Sequence, residues 1–146
     1  MLYTDKTKYA MKIAYNAHKD QVDKGGLPYV FHPFHLAEQM KTEDTVCVAL
    51  LHDVVEDSSV TFEQLEHAGF SQSIVRALTL LTHKKNVPYM EYIKAIKSNS
   101  IARTVKLADL KHNSDLNRLD SITDRDLKRI EKYKKAISIL EGANKT

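Results

Sequence analysis

Three features of the chain point to an all-α fold. Breakers are scarce, with three Pro and four Gly among 146 residues. Apolar side chains recur at three- and four-residue spacing over most of the length, which places them on one face of a helix. Helix-start signals (Thr, Ser or Pro) precede these stretches and Gly follows several of them. No segment of strand length alternates apolar with polar residues. The pattern predicts a compact multi-helix domain of about eight helices of unequal length.

Taken in order, Thr4 can cap a first helix that carries Tyr9, Ile13, Ala14, Ala17 and Gln21 and stops near Lys24-Gly25-Gly26. Leu27 to Pro33 reads as a short extended loop, because Pro33 disfavours helical geometry at His32. Pro33 then suits the start of a helix over Phe34 to Met40. Residues 43–57 read as one buried helix, apolar through Val46-Cys47-Val48-Ala49-Leu50-Leu51. Thr61-Phe62-Glu63-Gln64 is a capping box for a short helix to His67, ended by Gly69. Ser71 caps a helix through Ile74, Val75, Leu78 and Leu81, and Pro88 starts another with Tyr92, Ile93 and Ile96 inward. Residues 101–113 follow, with Val105, Leu107, Ala108 and Leu110. Thr123 caps a last long helix through Ile130, Tyr133, Ile137 and Leu140.

The length fits a single domain over residues 1–146 with a core of its own. Net charge is +3 but uneven: residues 1–83 hold 7 Lys/Arg against 11 Asp/Glu, and residues 84–146 hold 15 against 8. An acidic half facing a basic half suits an anionic ligand held through a metal ion. A nucleic-acid partner is disfavoured, because Lys128, Arg129, Lys132, Lys134 and Lys135 share a helix whose Ile and Leu are needed for the core. Cys47 is the only cysteine, so no internal disulfide forms and a reducing, cytoplasmic setting is expected, with Cys47 a core thiol. No signal peptide and no transmembrane run are visible, so no membrane partner is expected. The sequence leaves the oligomeric state open, a homo-oligomer included.

Chemistry enters where polar residues interrupt apolar runs. On the 43–57 helix, His52 and Glu56 share a face, and Asp53 and Asp57 repeat that relation one position on. Burying three carboxylates and an imidazole is costly unless a cation or protons compensate. His32 and Asp109 are the other such interruptions. Together His32, His52, Asp53 and Asp109 would make a mixed imidazole–carboxylate site suited to Mn²⁺, Fe²⁺, Co²⁺ or Zn²⁺. Glu56 and Asp57, one turn further on, can stand beside a metal-bound water without ligating the ion. Each residue alone has an ordinary explanation: a loop histidine, a chance His-Asp pair, a helix end, or an ion pair of Asp109 with Lys106. His18, His35, His67, His83 and His112 read as surface or capping histidines. The convergence is the signal.

In their order along the chain, these residues resemble the HD-domain metal phosphohydrolases, and within them the hydrolase domain of the RelA/SpoT family and its small stand-alone relatives. The resemblance rests on Ala17-His18-xx-Gln21 with Lys24-x-Gly26-x-Pro28-Tyr29-xx-His32-Pro33, on His52-Asp53-xx-Glu56-Asp57, and on Lys106-Leu107-Ala108-Asp109-xx-His112-Asn113. It implies the HD fold, and a divalent ion, typically Mn²⁺, on His32, His52, Asp53 and Asp109. It also implies Glu56 and Asp57 serving the attacking water and the leaving group, and Lys24, Tyr29, Lys106 and Asn113 contacting a small phosphorylated nucleotide. The implied reaction is hydrolysis of guanosine 3′,5′-bis(diphosphate) to release pyrophosphate. No synthetase activity is expected. Lys106, Lys111 and Arg118, with Lys24 opposite, are expected to line the phosphate approach. Asp23 stands where the family commonly has Arg, which leaves open another phosphorylated nucleotide or cofactor as substrate, or a nucleotide-binding sensor.

Overall fold

Most of the helices begin at a side-chain cap carried by the sequence. The computed structural model describes residues 1–142, which hold nine α-helices and one 3-10 turn. These are α1 (Asp5–His18), α2 (Phe31–Glu38), α3 (Glu43–Leu51), α4 (Val54–Asp57), α5 (Phe62–His67), α6 (Gln72–Leu81), α7 (Tyr89–Lys97), α8 (Ser100–Asn113), the 3-10 turn Leu116–Arg118, and α9 (Asp124–Gly142). The expected all-α architecture is present, without a strand among the described residues beyond one isolated bridge, Val22 to Pro28.

Thr4, Thr42 and Thr61 each form a reciprocal capping box with the third residue of their helix. Thr4 also donates to Glu43 Oε1 at 2.6 Å, latching the start of α1 to the start of α3. Ser71 caps α6, and Thr123 exchanges bonds with Asp126 at the start of α9. Gly69 adopts φ +93° behind α5, a left-handed stop that a side chain would oppose.

Three boundaries differ from expectation. The first helix ends at His18, not near Lys24, because His18 Nδ1 bonds Gln21 Oε1 at 2.8 Å and the chain folds into a tight loop over residues 21–28. α2 starts at Phe31, so His32 is helical. Pro33 is its third residue, where an N–H has no helical partner to lose. The 43–57 helix breaks after Leu51. His52 Nδ1 lies 2.7 Å from the Ala49 carbonyl, the group that the Asp53 N–H would need in a continuous helix. The Asp57 N–H to the Asp53 carbonyl restarts the winding as α4. This break accounts for the ninth helix.

α3 is the centre of the fold. Val46 through Leu51 are all 0 % exposed, and α3 packs against α1, α2, α6 and α8. Cys47 is buried with them, and burial pushes its thiol pKa up to about 12, so it is an inert core group. α9 lies across α7 and α8. The C-terminal end of α3, the first turn of α2 and the middle of α8 therefore meet at one place.

Candidate metal centre and adjoining cavity

At that meeting point His32, His52 and Asp109 each bring one ligand atom to within 4.8 Å of the others, and all three are buried. His32 Nε2 lies 2.8 Å from Asp109 Oδ1, and His52 Nε2 lies 3.6 Å from the same oxygen. The second ring nitrogen of each histidine is engaged elsewhere. His52 Nδ1 can only donate to the Ala49 carbonyl. His32 Nδ1 pairs with His112 Nδ1 at 2.7 Å. Burial, then Arg118 and the neighbouring histidines, lower the His112 pKa to about 4, so His112 is neutral and can accept the His32 proton. Both Nε2 atoms thus face a carboxylate oxygen. A ring nitrogen can approach a carboxylate oxygen this closely only with a proton or a cation between them. The buried His52 Nε2 has no aligned hydrogen bond, although it lies 3.0 Å from Asp53 Oδ2 as well. This donor set fits a divalent transition ion.

The protonation balance says the same. Burial opposes charge on His52, but Asp53 and Asp109 outweigh it and hold its pKa well above the usual imidazole range. Burial likewise opposes charge on Asp109; Lys106, with His32 and His52, more than offsets it and holds the carboxyl well below the usual range. Asp53, against the same burial, is held at about 2 by His52. The pocket is built for two carboxylates and a positive charge between them.

Asp53 Oδ2 lies against the same His52 Nε2 that faces Asp109. It accepts the hydroxyl of Tyr29, and it lies outside the three-residue group. Tyr29 is wedged edge-on against His18, their ring centroids 5.0 Å apart. Lys106 is not an open phosphate hook: its ammonium lies 3.0 Å from Asp109 Oδ2 and over the Tyr92 ring. Asn113 Nδ2 donates to Asp109 Oδ1 at 3.1 Å. Glu56 and Asp57 are on α4 with exposed side chains, and desolvation by the groups around their carboxyls raises the pKa of both above ordinary carboxylate values. Glu56 Oε1 accepts the His83 N–H at 3.0 Å, which fixes its direction. Lys24 lies apart from these, on the wall of a neighbouring cavity.

That cavity, of about 340 Å³, opens between the 21–28 loop, the end of α8 and the start of α9, and it shares Tyr29 and Asn113 with the cluster. Two of the cations expected along the phosphate approach are already paired, Arg118 on the cavity wall and Lys111 away from it. Lys111 pairs with Glu141 at 3.3 Å on an exposed surface, and Arg118 is held by Asp23 at 3.3 Å. Among the histidines read as peripheral, His67 is exposed as expected. His18 is 0 % exposed, and His112 stacks on His32 at 4.9 Å with His35 packed behind it. One signal for His112 was available: it lies three residues after Asp109 on one helix face. None marked the pairing of Arg118 with Asp23, 95 residues away.

No protein-family model matches the chain. It is similar to the guanosine-3′,5′-bis(diphosphate) 3′-pyrophosphohydrolase MESH1 of Danio rerio, 34 % identical over 122 residues that cover 74 % of this chain and 67 % of that protein. With the Mus musculus MESH1 it is 35 % identical over 123 residues, 75 % of this chain and 68 % of that one. With the bifunctional (p)ppGpp synthase/hydrolase SpoT of Escherichia coli (strain K12) it is 28 % identical over 121 residues, 73 % of this chain but 17 % of that one. The chain thus spans about two thirds of the MESH1 proteins and under a fifth of SpoT. A solved metazoan ortholog of SpoT, described as hydrolyzing ppGpp and playing a role in starvation responses, superposes with a TM-score of 0.79 at 25 % identity, covering 98 % of this chain and 89 % of that one.

Proposed function

Because the chain belongs to the HD-type guanosine-3′,5′-bis(diphosphate) 3′-pyrophosphohydrolase family that includes MESH1, we propose that it hydrolyses guanosine 3′,5′-bis(diphosphate), with or without the further 5′-phosphate, at the 3′ position. Water adds to the phosphorus bonded to O3′, and the P–O3′ bond breaks. O3′ takes a proton, and the products are GDP or GTP and pyrophosphate. The observation that carries this reading is the convergence of His32 Nε2 and His52 Nε2 on one buried oxygen of Asp109.

His32, His52 and Asp109 would hold a divalent ion, with Asp53 beside His52 as the fourth ligand once Tyr29 releases it or shares it. Mn²⁺ is the ion we assign, on the mixed imidazole and carboxylate donors. A bound divalent ion acidifies a water and stabilises charge on phosphoryl oxygens. The chain's own residues do the rest. Glu56, aligned by the His83 N–H, takes the proton of the attacking water. Asp57, whose backbone carbonyl is tied to Gln21 at 3.1 Å and whose pKa desolvation raises, carries a proton to O3′. Tyr29 and Asn113 bridge the cluster to the cavity that receives the nucleoside, and Lys24 stands on that cavity's wall. Lys106 neutralises Asp109 and adds positive potential behind the phosphates. The compartment in which this occurs is the cytoplasm on our reading of the single reduced cysteine; no described helix is long and apolar enough to cross a membrane.

The test is anaerobic metal analysis of the purified protein, followed by product identification from guanosine 3′,5′-bis(diphosphate). Stoichiometric pyrophosphate and GDP with Mn²⁺ present are expected. Orthophosphate as the released product would assign a different bond, and binding without turnover would make the protein a sensor.

A further inference from the structure

Asp23 and Arg118 form a built unit inside the cavity. Asp23 Oδ1 accepts the N–H groups of Gly25 and Leu27 at 2.9 and 3.0 Å, so the loop itself fixes the carboxylate. Its other oxygen holds Arg118 Nη2 at 3.3 Å. Arg118 Nη1 donates to the His112 carbonyl at 3.0 Å and to Asn113 Oδ1 at 3.3 Å. The loop and the 3-10 turn approach so closely that a Cβ on Gly25 would lie 2.2 Å from the Arg118 carbonyl oxygen. The guanidinium is thereby held on three sides, with its side chain 22 % exposed.

A guanidinium carries five N–H donors in a planar fork. Three are used by these contacts, which leaves the Nε–H and one Nη2 N–H, adjacent donors on the guanidinium, without a protein partner in these contacts. The cavity around them is not a phosphate site: Asp23, Asp115 and Asp126 balance Lys24, Arg118 and Arg129. Val22, Leu119 and Ile130, with the ring of Tyr133, supply flat apolar walls. Neutral charge, apolar walls and one paired donor edge suit a heterocycle. Guanine presents two acceptors, O6 and N7, on one edge; adenine presents an acceptor and a donor there.

We infer that Arg118, positioned by Asp23, is the specificity-determining residue of this cavity and reads the O6/N7 edge of a guanine base. The inference rests on the nucleotide-hydrolase reading for the placement of the base, but its test does not need turnover. Binding of GDP and of ADP to the intact chain is measured by calorimetry for the wild type, Arg118→Lys, Arg118→Ala and Asp23→Asn, each checked for folding by melting. A lost bidentate pair corresponds to roughly a tenfold to hundredfold change in discrimination. The wild type is expected to prefer GDP by about that factor. Arg118→Lys keeps the charge but offers a single ammonium in place of the fork, and should bind both nucleotides about equally. Arg118→Ala should do the same at lower affinity, and Asp23→Asn should lose part of the preference. Equal affinities in the wild type, no binding of either nucleotide, or a preference that survives both Arg118 substitutions would overturn the inference. A guanine preference that follows Arg118 in a protein that leaves guanosine 3′,5′-bis(diphosphate) intact supports it, while refuting the proposed reaction.

Discussion

α3 and α8 both run through the centre of the molecule, and they deliver polar groups in opposite ways. α3 buries six consecutive apolar residues and carries no charge in its interior; its functional group, His52, stands just beyond its last turn. α8 places Asp109 in its buried face, 5 % exposed, and needs Lys106 one turn earlier to compensate it. A ligand at a helix end costs the scaffold little, because the winding has already stopped there. A ligand in mid-helix binds the stability of the helix to the charge state of the site. The α3 side should therefore separate folding from chemistry, and the α8 side should not.

Asp109→Ala gives the largest expected effect. It removes the oxygen that both imidazoles face and leaves the largely buried Lys106 ammonium without its partner, a loss of about 3–5 kcal/mol. Metal content and turnover should fall to background, and the melting temperature should fall with them. Wild-type metal occupancy in this variant would reduce Asp109 to an ion-pair partner. Glu56→Gln comes next. It should lower kcat by roughly a hundredfold to ten-thousandfold while metal content and nucleotide Kd stay near wild type. Retention of most turnover would make Glu56 no more than the acceptor that orients the His83 N–H.

On the α3 side, Leu50→Ala should cost about 2–5 kcal/mol by denaturant unfolding, yet the folded fraction should keep its metal affinity. A parallel loss of metal affinity would show that core and centre are coupled there too. The pH profile is a gentler probe. Desolvation raises the Glu56 pKa above its ordinary 4.5, so a base at this position loses its proton only above that pH. The ascending limb of kcat should lie on the alkaline side of 4.5 and flatten in Glu56→Gln. For stability the sign is reversed. The folded chain holds this proton more tightly than the unfolded chain, so the contribution favours folding at low pH and is withdrawn as pH rises through the raised pKa. The smallest effect is expected outside the core, on the same helix as Asp109. Lys111→Ala breaks only an exposed pair with Glu141 and should change stability by less than about 1 kcal/mol. A larger fall, or a loss of turnover, would place Lys111 in the site after all.

Sequence and fold divide unevenly over these residues. Local signals sufficed where one stretch of chain contains the whole cause: the caps at Thr4 and Thr61, the Gly69 stop, and the apolar run of α3. The candidate ligands were readable because each interrupts an apolar surface, and an uncompensated buried charge is too costly to be accidental. What the chain order could not contain is partnership at long range. The break after Leu51 depends on a side chain turning back onto a carbonyl. The neutral His112 behind His32, the Tyr29 hydroxyl on Asp53, and Asp23 restraining Arg118 join residues 80, 24 and 95 positions apart. Periodicity and capping act within a few residues, whereas hydrogen-bond satisfaction in a buried site is settled only when several helices converge. The kinds of group at the centre thus belong to the sequence. Which nitrogen faces inward, which carboxylate is already engaged, and which arginine faces the cavity belong to the packing.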